Sequence, residues 1–376
     1  GLDKAIKTRF DGYETLGESA KVLAIVNEGE PSGAAAKGEK ITAVLDHTPF
    51  YAEMGGQIGD HGVLIGKNGV MTVSDVQKTK DGKYMHIGTV TEGALSVDDE
   101  VEAKVDAEYR QAICRAHTST HLLQKALRKV LGDHVEQAGS YTANDHLRFD
   151  FTHFAALTAD ELQQVETLVN DAILAGYPVV TEEMSIDEAK KKGAMALFGE
   201  KYGAVVRVVQ AGDSIELCGG THLDNTAKAG MFKIIGEASV AAGVRRIEAV
   251  TGQGVMNLLN SSLASIQQAA DVLKLNNPHD LVKKSEQIMA EIKDKDRIIE
   301  SLQSKLASIQ VDGMFENAKE VNGVTVITAM FSGTSSTGLR NMCDKVKEHR
   351  PDIVAVFAGI DNGKATIAAV VGKEAM

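Results

Sequence analysis

Two short pairs of metal-binding side chains are the residues of this sequence whose types and spacing best support chemistry. They are His117-x-x-x-His121 and Cys218-x-x-x-His222. Imidazole and thiolate are ligands that zinc prefers in proteins, and four of them complete a tetrahedral shell. A single pair is a common chance spacing, because a lone histidine on a helix is usually a surface or core residue. The two pairs together favour one divalent-metal site, with zinc as the expected ion.

A helical pattern surrounds the first pair, and a glycine-containing turn holds the second. Apolar residues repeat at helical spacing through Gln111–Val130, so residues four positions apart share one face of a helix. The second pair lies in Glu216–His222, after a strand-like run at Val205–Val209. The two glycines in this segment allow a tight, non-helical backbone. Each pair can therefore direct both of its ligands to one point.

The composition is that of a globular protein with reduced thiols. Hydrophobic residues make up 43% of the 376 residues, enough for well-formed cores in roughly two to four domains. Only three cysteines occur, so no disulfide framework is expected, and Cys114 and Cys343 are interpreted as ordinary thiols. The sequence begins with Gly1 and has neither a signal peptide nor an apolar run that could span a bilayer. We expect a fragment of a cytoplasmic protein that does not bind membranes.

The net charge of −12 argues against nucleic-acid binding by bulk electrostatics, but a local basic face can still hold phosphates. Runs of charge are more often solvated faces, so both interpretations stay open for the basic residues of the middle of the chain. These residues are Lys190, Lys191, Lys192, Lys201, Arg207, Lys233, Arg245 and Arg246.

The residue patterns predict a multidomain α+β protein. Short alternating runs separated by glycine-rich turns predict a small β-barrel over residues 1–105. Residues 106–252 contain predicted helices at Arg110–Val130, Thr158–Ala175 and Asp187–Ala196, and predicted strands near Ser140–Asp150, Val205–Val209 and Ile234–Ala238. This mixture predicts an α+β domain with the metal pairs at its cleft.

The remaining sequence predicts a helical arm and a small terminal domain. In residues 253–312, apolar residues such as Ile288, Leu302 and Ile309 follow a heptad-like spacing, and Asn276-Asn-Pro278 separates two helices. We expect these helices to pack as an antiparallel hairpin. Residues 313–376 alternate strand, helix, strand and strand, which is typical of a small α/β unit. Ser332–Gly338 lacks the lysine of a nucleotide-binding loop, so a hydroxyl-capped turn is expected there.

Three motifs resemble the editing half of alanyl-tRNA synthetase in their order and spacing. They are Leu45–Asp60, Cys114–Leu123 and Leu217–His222, with further agreement at Gly193–Tyr202 and Gly243–Gly252. The resemblance covers essentially the whole chain. It has two gaps, because the family's amino-terminal aminoacylation domain has no counterpart here and the family's glycine-rich closing segment does not follow Met376. We therefore expect no charging of tRNA by this chain alone, and a truncated terminal domain.

The resemblance implies a deacylase that removes mischarged serine or glycine from alanine tRNA. In the family's pattern the two ligand pairs would hold zinc, while Gln57 and Thr120 would position a water or read the serine hydroxyl. Contacts with tRNA would come from Lys191, Lys192, Arg207, Arg245 and Arg246. The helical arm and the terminal domain would support a homodimer.

The sequence leaves three alternatives open. Four protein ligands normally form a closed structural site, whereas metal-bound water needs an open position, so zinc is either structural or catalytic. The editing module of threonyl-tRNA synthetase has a similar ligand pattern, but it resembles neither the barrel loop nor the helical arm. A further alternative is a module that binds tRNA and self-associates without catalysis.

Overall fold

A computed structural model describes residues 5–195, 203–361 and 363–375 of the chain. The chain divides into two compact units, Gly1–Ser262 and Leu263–Met376, which are described separately here. Most of the Gly193–Tyr202 motif, including the basic candidate Lys201, lies outside the described residues. The finer division into four domains stays a prediction. No helix among the described residues has the length and apolar character needed to cross a membrane.

The first unit begins with a six-stranded antiparallel β-barrel, which confirms the prediction from the alternating pattern. The strands of this region are β1 (Arg9–Phe10), β2 (Gly17–Asn27), β3 (Glu30–Ser32), β4 (Ala34–Ala36), β5 (Lys40–Leu45), β6 (His47–Thr48), β7 (Gly62–Gly66), β8 (Gly69–Lys78), β9 (Tyr84–Ser96) and β10 (Glu100–Val105). The barrel has the order β10-β7-β8-β9-β5-β2 and closes because β10 also pairs with β2. The register between β8 and β9 is irregular between Val73 and Asp75, which interrupts the alternation of β8.

The rest of the first unit is an α+β arrangement around one long helix. Its elements are α1 (Ala107–Leu131), β11 (Gln137–Thr142), β12 (Leu147–Thr152), α2 (Ala159–Leu174), β13 (Val179–Ser185), α3 (Ile186–Lys191), β14 (Val205–Ala211), β15 (Ser214–Leu217), β16 (Phe232–Ala241) and β17 (Val244–Thr251). They form the sheets β11-β12-β17-β16 and β13-β14-β15. Helices α1 and α2 share a hydrophobic core with the four-stranded sheet.

Local sequence signals explain most boundaries of this region. Asp106 begins α1 by accepting a hydrogen bond from the Tyr109 amide at 3.0 Å. The prediction of one strand at Ser140–Asp150 is wrong, because a turn between Ala143 and His146 divides this segment into β11 and β12. Helix α3 ends earlier than predicted, at Lys191.

The second unit contains a long helix and a four-stranded sheet. The remaining elements of the chain are α4 (Gln253–Val272), α5 (Leu281–Met314), β18 (Lys319–Val321), β19 (Val324–Ser332), α6 (Ser336–His349), β20 (Ile353–Asp361) and β21 (Lys364–Val371). The sheet order is β18-β19-β20-β21, and α6 packs on it. Ser335 caps α6 by accepting from the Gly338 amide, which confirms the predicted hydroxyl-capped turn. Along α5, Leu302 and Ile309 are 58% and 70% exposed, and the antiparallel hairpin stays a prediction.

Candidate metal centre and cleft

The two predicted ligand pairs converge in the structure. One donor atom from each of His117, His121, Cys218 and His222 lies within 4.8 Å of the other three. The Cys218 sulfur is 3.4 Å from His117 Nε2 and 3.3 Å from His222 Nε2. Bonds of about 2.0–2.3 Å around a tetrahedral zinc separate neighbouring donors by roughly 3.5 Å. The cluster could therefore bind a metal ion; α1 supplies the first pair, and the second comes from residues 218–222, here called the ligand turn.

Burial keeps the three imidazoles in the neutral form that binds metals. It lowers the pKa of His117 to about 4, with a smaller contribution from the charge of Arg207. Burial also lowers the pKa of His121 and of His222 well below the ordinary value. His121 Nδ1 is buried and has no hydrogen-bond partner among the described residues. An unpartnered ring nitrogen beside three other donors fits a metal ligand better than a core histidine.

Gln57 sets the orientation of His117. The Gln57 side-chain oxygen accepts a hydrogen bond from His117 Nδ1 at 2.7 Å and another from the Thr221 amide at 2.9 Å. The Gln57 side-chain nitrogen donates to the Thr221 hydroxyl at 2.8 Å. Because Nδ1 then carries the proton, Nε2 of His117 is left to bind a metal. Gln57 is fully buried and is not among the described residues that line the adjacent cavity. Its observed contact is therefore with the metal-cluster residue His117 and not with the cavity.

The ligand turn is held in place from two sides. Arg207 Nη1 donates to the carbonyl oxygens of Cys218 and Gly220, at 2.9 and 2.8 Å. The Arg207 guanidinium also lies 4.0 Å above the ring of Tyr13. On the other side, Gly220 passes so close to His117 that a Cβ atom there would lie 2.0 Å from the imidazole. The resemblance implies that Arg207 contacts tRNA. In the structure Arg207 holds the backbone of the ligand turn that carries Cys218 and His222.

A buried ion pair fastens the barrel loop, residues 49–61, to helix α1. The side chains of Asp60 and Arg110 are 0% and 4% exposed. Arg110 Nε donates to both carboxylate oxygens of Asp60, at 2.8 and 3.0 Å. The two terminal nitrogens of Arg110 donate to the carbonyl oxygens of Gly12 and Pro49, at 2.8 and 2.9 Å. This network holds the loop where Gln57 reaches the first ligand pair.

A cavity of about 340 Å³ opens beside the metal cluster. Its walls include His117, His121, Cys218 and the predicted residue Thr120. The Thr120 hydroxyl donates to the Ala116 carbonyl at 2.9 Å, so its oxygen still has a lone pair for a bound ligand. The cavity thus combines metal-ligand side chains with a hydroxyl that can accept a hydrogen bond.

The sequence analysis missed several polar residues of this cavity. They are Tyr51, Gln137, Ser140 and Glu216. Gln137 and Ser140 lie on β11, and no local pattern shows that this strand borders the ligand turn. Glu216 could have been found, because residues two positions apart on a strand share a face and Glu216 precedes Cys218 by two. Burial raises the pKa of Glu216 to about 8, against the opposing effect of the Ser214 hydroxyl.

The chain is similar to known proteins over nearly its whole length. Residues 2–109 match the family model for tRNA synthetases class II (A), and residues 206–248 match the threonyl and alanyl tRNA synthetase second additional domain. The chain is 49% identical over 374 residues to the alanine–tRNA ligase of Acetivibrio thermocellus and 43% identical over 373 residues to that of Bacillus subtilis. The chain belongs to the alanyl-tRNA synthetase family. These alignments cover 99% of the chain, which spans about 42% of the length of each relative.

Most of the predicted tRNA-binding cations of this alanyl-tRNA synthetase region are paired with carboxylates. The pairs are Arg245 with Glu237, Arg246 with Asp150, and Lys192 with Glu182. Lys233, from the wider group of basic residues, pairs with Glu166. Arg246 makes two hydrogen bonds to its partner, at 2.6 and 2.8 Å. Lys190 and Lys191 are exposed on α3. Within the described part of the chain these cations do not form one free basic face, and their contacts with tRNA stay a prediction.

Proposed function

We propose that this region is an editing hydrolase that releases serine or glycine wrongly attached to alanine tRNA. The bond cleaved would be the ester between the amino acid and the terminal adenosine. The observation that supports this proposal best is the convergence of both ligand pairs at the wall of a 340 Å³ cavity. The match of residues 206–248 to the domain shared by threonyl and alanyl synthetases agrees with it.

In this proposal His117, His121, Cys218 and His222 hold zinc, which when bound supplies Lewis-acid polarisation of the ester or of a water. An aminoacyl ester is labile, so holding it beside a positioned water provides much of the catalysis. Gln57 keeps His117 in the ligating tautomer through the 2.7 Å hydrogen bond. The walls of the cavity would exclude bulk water from the bound ester.

Thr120 is proposed to distinguish serine from alanine. These amino acids differ by one hydroxyl, and a site built around that hydroxyl leaves a polar group unpaired when alanine binds. The Thr120 side chain is 3% exposed and already donates to Ala116, so its oxygen is set to accept a hydrogen bond from the substrate hydroxyl. Because Thr120 keeps its bond to Ala116 when alanine binds, only one lone pair of its oxygen is left without a partner. The expected preference is therefore that of one neutral hydrogen bond, about 0.5–1.5 kcal/mol or roughly 2- to 12-fold.

The remaining features of the proposal concern partners and location. The substrate is alanine tRNA, bound with the help of Lys191, Lys192, Arg207, Arg245 and Arg246, and the site of action is the cytoplasm. Activation of alanine is not proposed for this chain. The exposed apolar residues of α5, such as Leu302 and Leu306, are proposed to support a homodimer.

The test is release of serine from seryl-tRNA that carries the alanine acceptor stem, with alanyl-tRNA as the comparison. The full chain should release serine rapidly and alanine slowly. Cys218→Ala removes one of the four cluster residues and should lower serine release by at least about a hundredfold. Cys343→Ala is the matched control, because Cys343 is buried in the core of the second unit and should leave the rate unchanged.

A second candidate function is recognition of tRNA without catalysis, with zinc in a closed structural site. It is favoured by the four protein ligands, which complete a tetrahedral shell without a water. Binding of tRNA by the zinc-loaded chain without release of serine would support this alternative and contradict the editing proposal.

A further inference from the structure

One carboxyl group of the cavity forms no hydrogen bond with the four residues of the metal cluster. Glu216 is 6% exposed and lies on β15. Among the described residues that line the cavity it is the only carboxyl group, and Arg207 is the only permanently charged cation. A buried carboxylate is costly unless a cation or several hydrogen bonds compensate it. An acid in this position therefore requires an explanation.

The described residues make few polar contacts with Glu216. The Ser214 hydroxyl donates to Oε1 at 3.0 Å. The other carboxylate oxygen lies 3.8 Å from His121 Nε2, which is beyond hydrogen-bond distance. No lysine or arginine pairs with Glu216 among the described residues. The protein itself thus supplies one hydrogen bond and no full positive charge.

The strand register directs Glu216 into the same space as the metal cluster. In the antiparallel pair β14–β15, Glu216 lies opposite Val209, and the Cys218 amide, two residues on, donates to the Arg207 carbonyl at 3.0 Å. Side chains two positions apart on a strand share a face. Arg207, Glu216 and Cys218 therefore face one side of this sheet, and all three line the cavity.

We propose that Glu216 forms a subsite for the α-ammonium group of the aminoacyl ester. This proposal rests on the proposed function, because an aminoacyl ester is the substrate class that carries an ammonium group beside the bond to be cleaved. The ammonium donates to the Glu216 oxygen that accepts no hydrogen bond from the Ser214 hydroxyl.

A simpler role for Glu216 would be to orient His121 as a hydrogen-bond acceptor. The two roles make different predictions. An orienting residue affects metal binding and treats all substrates alike. An ammonium subsite affects only ligands with an ammonium group and leaves the metal content unchanged. The decisive comparison is therefore between two ligands that differ only in that group.

The experiment measures binding of L-serinamide and of its α-hydroxy analogue to the zinc-loaded full chain by calorimetry. Neither amide contains the ester, so the comparison does not depend on hydrolysis. The wild-type chain should bind serinamide about ten- to a hundredfold more tightly, as expected for a hydrogen bond between charged groups. Glu216→Gln should remove this preference while keeping its zinc, and Glu216→Asp, which keeps the charge, should retain part of it.

The possible outcomes separate the ammonium subsite from the other roles. Equal affinity of the wild-type chain for the two amides would contradict the subsite, and this measurement does not require Glu216→Gln to fold. Equal loss of both affinities in Glu216→Gln, or loss of its zinc, would identify Glu216 as the residue that orients His121. A preference for serinamide in a chain that never releases serine from seryl-tRNA would support the subsite and contradict the editing function.

Discussion

Substitution of Gly220 by alanine tests whether the ligand turn must pass directly against His117. A Cβ atom at Gly220 would lie 2.0 Å from His117 Cε1 and 2.8 Å from Gln57 Oε1. Gly219 is the matched control, since a Cβ there would meet nothing closer than 3.8 Å. Both variants add one methyl group to the same turn, so they differ only in what that methyl group touches.

The size of the effect follows from these distances. Carbon atoms pack at about 3.5 Å, so the imidazole of His117 would have to retreat by roughly 1.5 Å in Gly220→Ala. Metal–ligand distances tolerate only about 0.2 Å, and His117 would therefore leave the cluster. Zinc binding in a four-ligand site is worth about 10–16 kcal/mol, so loss of one ligand removes about 3 kcal/mol, or roughly a hundredfold in affinity. The turn cannot readily move instead, because Arg207 holds the carbonyls on both sides of Gly219.

The assay is competition for zinc with a chromophoric chelator, together with circular dichroism to check folding. We expect Gly220→Ala to fold and to bind zinc about a hundredfold more weakly, and Gly219→Ala to bind like the wild type. Wild-type affinity in Gly220→Ala would refute the geometry of the turn. An equal loss in both variants would show that flexibility of the glycines, rather than contact with His117, determines affinity.

Three further predictions address other residues of the first unit. Gln57→Ala removes the partner of His117 Nδ1 and should weaken zinc binding by about ten- to a hundredfold in the same competition assay; unchanged affinity would contradict the positioning role. Arg110→Met leaves Asp60 as an unpaired buried charge and should lower the free energy of unfolding by about 3–5 kcal/mol in urea titrations, a cost that added Asp60→Asn should partly relieve. Burial lowers the pKa of His86 to about 4 in the folded chain, against about 6.5 when unfolded, so only the unfolded chain gains this proton as the pH falls. Stability should therefore fall by about 2 kcal/mol from pH 8 to pH 5, and His86→Gln should lose this part of the pH dependence; equal slopes would contradict the assignment.

The parts of the site that the sequence predicted depend on local geometry. His117 and His121 are one helical turn apart, so the pattern of α1 was enough to place both on one face. The turn at residues 218–222 contains its own glycines and follows a strand, so its compact shape could also be predicted from neighbouring residues. The alternation of the barrel strands likewise follows from the pleat of each strand. In each case the physical cause acts within a few residues.

The parts that the sequence did not predict depend on contacts between distant segments. Nothing near Arg245 or Arg246 indicates that each meets a carboxylate on a neighbouring strand, Glu237 or Asp150, because that depends on strand pairing. Gln57 was expected to position a water or to read the serine hydroxyl. Its observed partners are His117 and Thr221, which come from α1 and the ligand turn. The resemblance identified Gln57 as a residue of the site, but it did not indicate which residues Gln57 contacts.

The barrel loop is therefore a component of the metal centre and not only a connection within the barrel. Asp60 secures the loop to Arg110, seven residues before His117 on the same helix. Three residues before Asp60, Gln57 bonds both to His117 and to the Thr221 backbone in the ligand turn. One glutamine thus connects the two ligand pairs, and one ion pair fixes the segment that carries it. Because each contact limits the movement of the next, changes in the barrel loop should alter metal affinity without touching any of the ligands.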